Sequence, residues 1–176
     1  MVRLFTALDI PDNTRLELAR LRPGGDFVVL QEHPHITLHY IGLVSPALAL
    51  DITRALNDIS VSAFRQQIEG VGVFTRNKEP YTLWAGCEPG EGLLALHGAI
   101  ARCLEELGVS LESRLFTPHI TLARLKRPSK NWLNAYTLEH ADFHSHFCAK
   151  RFALFASEAV NQQSVYRTLQ EYELEQ

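Results

Sequence analysis

Pro34-His35-Ile36-Thr37-Leu38 returns further along the chain as Pro118-His119-Ile120-Thr121-Leu122, five residues in the same order. Neither copy is low-complexity sequence, and chance repetition in 176 residues is a poor explanation. In each copy His-Ile-Thr-Leu alternates polar and apolar with a β-branched residue in each class, the pattern of a half-buried strand. Side chains at i and i+2 of a strand share a face. The imidazole and hydroxyl of each copy therefore point one way, while Ile and Leu point the other way, into a core. Two such strands facing one cleft supply two imidazoles and two hydroxyls, the equipment for acid-base chemistry on a phosphate. A lone histidine is more often a structural one bonded to backbone; the matched flanks favour catalysis for His35 and His119. Thr37 and Thr121 suit a strand in any case. Their fixed offset from each histidine suits them equally as donors to phosphate oxygens.

The composition narrows the setting. Apolar residues make up 46% of the chain and charged residues 21%, an ordinary globular balance for one domain over residues 1–176. No apolar run approaches the roughly 20 residues of a membrane span, and the short apolar run at the N-terminus is broken by Asp9, so neither a membrane nor a signal peptide is expected. Cys87, Cys103 and Cys148 are an odd number without C-x-x-C spacing, which reads as free thiols in a reducing cytoplasm. A net charge of −3 argues against a broad basic face coating long nucleic acid, but leaves room for a local patch that takes an RNA end.

The remaining elements follow in order. A first strand is predicted over residues 3–10, then a helix from Asp12 with Leu16, Ala19 and Leu21 as its apolar stripe, then a break at Pro23-Gly24-Gly25. The first motif strand runs over residues 35–41 and is closed by Gly42. Ser45 is a plausible N-cap with Pro46 at the first helical position. Residues 64–74 read as a strand with a bulge around Gly70 and Gly72, and residues 81–87 as another. A second amphipathic helix covers residues 91–107, with Gly108 after it. The second motif strand covers residues 119–124, a short helix residues 131–137, and closing strands residues 147–158 and 164–173. The class is α+β: a bilobal fold of two similar lobes with antiparallel sheets and flanking helices around a central groove lined by the motif strands.

Paired His-x-Thr motifs with an apolar x are the signature of the two-histidine phosphoesterases. With Arg124 just after the second copy, the chain resembles their bacterial and archaeal RNA 2′,3′-cyclic phosphodiesterases, also called 2′-5′ RNA ligases. Arg3-Leu4-Phe5-Thr6-Ala7-Leu8-Asp9-Ile10-Pro11 is similar to that family's first strand, and Leu38-His39-Tyr40-Ile41-Gly42 resembles the stretch after its first motif. The resemblance implies the same bilobal arrangement, hydrolysis of a 2′,3′-cyclic phosphate at an RNA end to a 2′-phosphate, and 2′-5′ joining by the same groups. Motif order in the family implies His35 as acid and His119 as base. It also implies a phosphate or RNA contact at Arg124, although a regular strand would put a residue five positions after His119 on the opposite face.

Other candidates are less determined. Tyr40 and Trp84 can stack a base or pack in the core, and Phe5 has weaker support. Arg127 and Lys130 can touch an RNA backbone or lie on a solvated surface. His33-x-His35 and His144-x-His146 have spacing a metal could use, but no Cys-rich set accompanies them, and neither metal nor cofactor is expected. The expected partners are RNA ends or small cyclic nucleotides, met by a monomer. Two alternatives remain open: a phosphodiesterase for small cyclic phosphates or 2′-5′ oligonucleotides, and a non-catalytic RNA-end binder.

Overall fold

The computed structural model describes residues 1–160 and 163–176. Its elements are β1 (Val2–Asp9), α1 (Asp12–Leu18), β2 (Val28–Leu30), β3 (His35–Val44), α2 (Pro46–Ala55), β4 (Phe64–Arg76), β5 (Glu79–Cys87), α3 (Glu91–Glu106), β6 (His119–Leu125), α4 (Lys130–Glu139), β7 (His144–Ala149), β8 (Arg151–Val160) and β9 (Gln163–Glu173). The strands join in the order β7-β4-β5-β6-β3-β1-β8-β9, with β2 added to β6 and every pairing antiparallel. The two motif strands are neighbours at the centre, with Ile36 opposite Ile120. Both isoleucines are fully buried. The expected lobes are the four strands on either side of this seam: β3, β1, β8 and β9, and β6, β5, β4 and β7. The two sheets are thus joined edge to edge through the motifs.

Helix ends follow local chemistry. The Ser45 hydroxyl accepts from the Leu48 amide and Pro46 begins α2, a cap worth about 1 kcal/mol. Ser129 does the same for α4 through the Trp132 amide. Leu93, Leu96, Ile100 and Leu104 of α3 are fully buried, each contributing roughly 1.5–3 kcal/mol. Gly108, at φ +76°, ends that helix in a conformation that a side chain would strain.

The helices cross between halves of the sequence. Helix α1 packs on β7, where Ser145 donates to Glu17, and the Tyr136 hydroxyl of α4 donates to the Leu21 carbonyl. Helix α2 receives the Tyr172 hydroxyl of β9 at the Thr53 carbonyl, and α3 reaches β3 as well as β4. Each lobe is therefore covered by helices from both halves. No helix among the described residues is long and apolar enough to cross a membrane.

Four expectations change. Leu16 is exposed, and Thr14, Leu18 and Leu21 form the buried stripe of α1 and the 3-10 turn after it; these three follow the i, i+4, i+7 spacing of one helix face, which Leu16, Ala19 and Leu21 do not. Gly42 does not close β3. It sits at φ +84° within the strand, where the register with β1 slips between Leu4 and Phe5. The bulge in β4 is at Gly70, φ +61°, whereas Gly72 is needed for a close approach: a Cβ there would lie 2.2 Å from the Trp84 indole. The strand expected over residues 147–158 is two strands, β7 on β4 and β8 on β1, with the chain crossing between lobes at Lys150.

Candidate active site

A shared irregularity in the motif strands decides which side chains meet. In the β3–β1 ladder, Ala7 pairs with Thr37 and Thr6 with His39, so Leu38 is extra. In the β6–β5 ladder, Trp84 pairs with Thr121 and Leu83 with Ala123, so Leu122 is extra. Each is a β-bulge one residue after the motif threonine. The burial pattern breaks in the same place: Leu38 and His39 are both buried, as are Leu122 and Ala123. Beyond the bulge the exposed face returns, so Tyr40 and Arg124 join the face that carries the histidines and threonines. This bulge resolves the parity objection to Arg124.

The histidines are also held alike. His35 Nδ1 donates to the His33 carbonyl at 2.8 Å, and His119 Nδ1 donates to the Thr117 carbonyl at 2.8 Å. An Nδ1–H committed to a carbonyl selects the tautomer and leaves Nε2 for the substrate. Burial lowers both imidazoles from the ordinary value of 6.5. For His119 the Arg124 charge lowers it further, against the raising effect of the Thr117 carbonyl. For His35 the His33 carbonyl and Asp9 raise it, and the charges of His119 and His33 lower it. The two imidazoles feel each other, so they hold one proton more readily than two.

Thr37, Tyr40, His119, Thr121 and Arg124 line one groove of about 670 Å³. His35 lines an adjoining hollow of about 200 Å³ with Asp9, Arg15, His33, Tyr166 and Glu171 among its neighbours. Around the His35 ring stand Phe5, Phe155 and Tyr166, at 5.2, 6.3 and 5.3 Å between ring centres. Around His119 stand Phe74, edge-on at 4.7 Å, and Trp84 at 6.4 Å. Arg124 donates to the Thr82 hydroxyl, and its guanidinium carbon lies 5.2 Å from the centre of the Tyr81 ring.

Tyr40, 49% exposed, offers an open ring in the groove. Trp84 is not in the groove lining; it packs on Phe74 and over Gly72. Phe5 is buried and stacked on Phe155, so it is closed to a base. Arg127 and Lys130 are exposed at the turn from β6 into α4 and do not line the groove. Among the described residues, no group of three or more His, Cys, Asp or Glu converges as for a metal ion.

Several neighbours of the histidines escaped the motif reading. Phe155 and Tyr166 come from β8 and β9, and Asp9 faces His35 only through the β1–β3 register. Tyr40 and Arg124 had a usable signal: each lies five positions after its motif histidine.

Comparisons with known proteins bear on the family and the fold. A family model described as the 2′-5′ RNA ligase superfamily matches residues 10–160. An Aeropyrum pernix protein named RNA 2′,3′-cyclic phosphodiesterase is 39% identical over 99 residues, 56% of each chain. A Thermotoga maritima protein of the same name is 26% identical over 183 residues, covering 99% of this chain and 96% of its own. Escherichia coli LigT, solved in complex with 3′-AMP, superposes with a TM-score of 0.79 at 26% identity over 99% of both chains. With most of its length matched by one family, the chain belongs to the 2′-5′ RNA ligase superfamily.

Proposed function

We propose that the protein opens a 2′,3′-cyclic phosphate at an RNA end to leave a 2′-phosphate, without a metal ion. The observation that carries this reading is the matched anchoring of His35 and His119, which leaves an Nε2 on each for proton transfer. His119 takes a proton from water as the oxygen attacks phosphorus. The P–O3′ bond breaks in line, and His35 gives its proton to the departing O3′. Thr37 and Thr121 donate to the non-bridging oxygens, whose charge grows in the transition state, and Arg124 adds a fixed positive charge. Exchange with solvent then moves the pair's one proton from His119 back to His35. Run with an RNA 5′-hydroxyl in place of water, the same groups join ends through a 2′-5′ bond.

The protein acts as a cytoplasmic monomer in this reading. The names of its relatives support RNA as substrate, and Tyr40 gives a terminal base a surface to stack on.

One assay tests the reading: turnover of an oligonucleotide with a 2′,3′-cyclic phosphate end, beside a 2′,3′-cyclic mononucleotide, both in EDTA. The expected result is a 2′-phosphate product from the oligonucleotide, undiminished by chelation. Preference for the mononucleotide would favour a small-molecule phosphodiesterase, and binding without turnover an RNA-end binder. Activity lost in EDTA and restored by Zn²⁺ or Mn²⁺ would overturn the metal-free mechanism and turn attention to His33 and His144.

A further inference from the structure

The two histidines are anchored alike, but the residues facing them across their ladders differ. Opposite His35 on β1 is Asp9; opposite His119 on β5 is Gly86. Directly opposed residues of an antiparallel ladder project to the same face, and Asp9 lines the same hollow as His35. Gly86 could not be exchanged for an aspartate. A Cβ there would lie 2.5 Å from the Glu69 carbonyl oxygen, which is backbone. Only one imidazole can therefore have a carboxylate across the ladder, and the other has the Arg124 cation beside it.

The carboxylate is itself held. Arg15 donates through Nη2 to the Asp9 carboxylate while its Nε donates to the Ile10 carbonyl at 2.6 Å. Asp12 lies 3.9 Å from the same guanidinium. A bare carboxylate would fix a proton on His35 too firmly for it to be given up; one shared with a guanidinium favours the imidazolium more gently. The other charged or titratable groups facing His35 are His33 from the preceding loop, His119 from β6, and Tyr166 and Glu171 from β9.

We propose that Asp9, moderated by Arg15, keeps the shared proton of the pair on His35, making His35 the general acid and leaving His119 the general base. Asp9 acts through His35 and is a positioning residue. The sense agrees with the electrostatics already described: Asp9 raises His35, and Arg124 lowers His119. The assignment of roles rests on the cyclic-phosphate reading of the site; the location of the proton does not.

The test uses the full chain and two measurements. In NMR titration of the ligand-free protein, Asp9→Asn lowers the His35 midpoint by about 1 pH unit and leaves His119 nearly in place. Asp9→Glu restores it. Arg15→Met, which uncovers the carboxylate, moves the His35 midpoint upward. In kinetics, Asp9→Asn shifts the alkaline limb of kcat/KM downward, because the acid loses its proton at lower pH. Its deficit largely vanishes on a 3′-thio substrate, whose thiolate leaves without a proton. An Asp9→Asn protein in which His35 titrates unchanged, or in which both histidines move together, overturns the proposal. So does an equal deficit on oxygen and sulfur leaving groups. If the unaltered protein turns over no cyclic phosphate, the proposed function falls, and the titrations still decide the place of the proton.

Discussion

The two lobes agree in their backbone and differ in the side chains that the backbone delivers. Both motif strands carry a bulge at the leucine after the threonine, and both histidines tie Nδ1 to the carbonyl two residues before them. At the position each bulge brings back to the site, however, one lobe has Tyr40 and the other Arg124. Across the ladder one has Asp9 and the other Gly86. The shared features set the geometry of a two-histidine site, and the unshared ones break its symmetry. In-line displacement needs that asymmetry, since one side must receive a proton while the other gives one.

The largest effects should come where the lobes are alike. His35→Ala and His119→Ala are each expected to lower kcat by about 10²-fold or more with the circular-dichroism spectrum unchanged. A folded His119→Ala protein with near-normal turnover would end the two-histidine mechanism. In the unaltered protein, kcat/KM should be bell-shaped. Burial lowers both imidazoles, so both limbs should lie below their ordinary position and the optimum on the acid side of 6.5. The anionic substrate favours imidazolium, so the profile of kcat itself should lie at higher pH.

An intermediate effect should separate Arg124 from Tyr40. Arg124→Ala removes a positive charge from the groove and, on the proposed function, should lower kcat on the order of 10²-fold. Tyr40→Ala removes a stacking surface worth about 1–3 kcal/mol and should act mainly on KM. Equal loss in the same kinetic constant for both variants would mean that these positions share one role.

The smallest effect is expected outside the groove. Arg127→Ala with Lys130→Ala should leave a cyclic mononucleotide nearly unaffected. If these residues touch backbone phosphates, the double variant flattens the salt dependence of oligonucleotide binding. An equal effect on both substrates would remove them from the RNA path.

What could be read from the sequence was whatever repeats or keeps a period. The motif strands, the Ser45 cap and the α3 stripe follow from local pattern, and each is present in the structure. The bulges were not legible because Leu38-His39 and Leu122-Ala123 carry no glycine or other mark of irregularity. They show only as a slip against the partner strand. Asp9 read as one more residue of a first strand, since its opposition to His35 is a matter of register. The break at Lys150 has no proline or glycine to announce it, and the strands on either side of it are equally extended.

The pairing of β1 with β8 bears on the order in which the protein can be put together. Leu4 lies opposite Ala156, nearly the whole chain away, and β9 completes that edge. The half around His119 is built from β4 to β7, which are made consecutively. The half around His35 needs Phe155 and Tyr166 from β8 and β9, made after both motif strands. A pairing so distant in sequence closes late, because the entropy of the long loop must be overcome first. A chain still being synthesised and halted before Arg151 would carry both histidine motifs and only half of the enclosure they need. Enclosure of the two histidines is thereby coupled to the synthesis of β8 and β9.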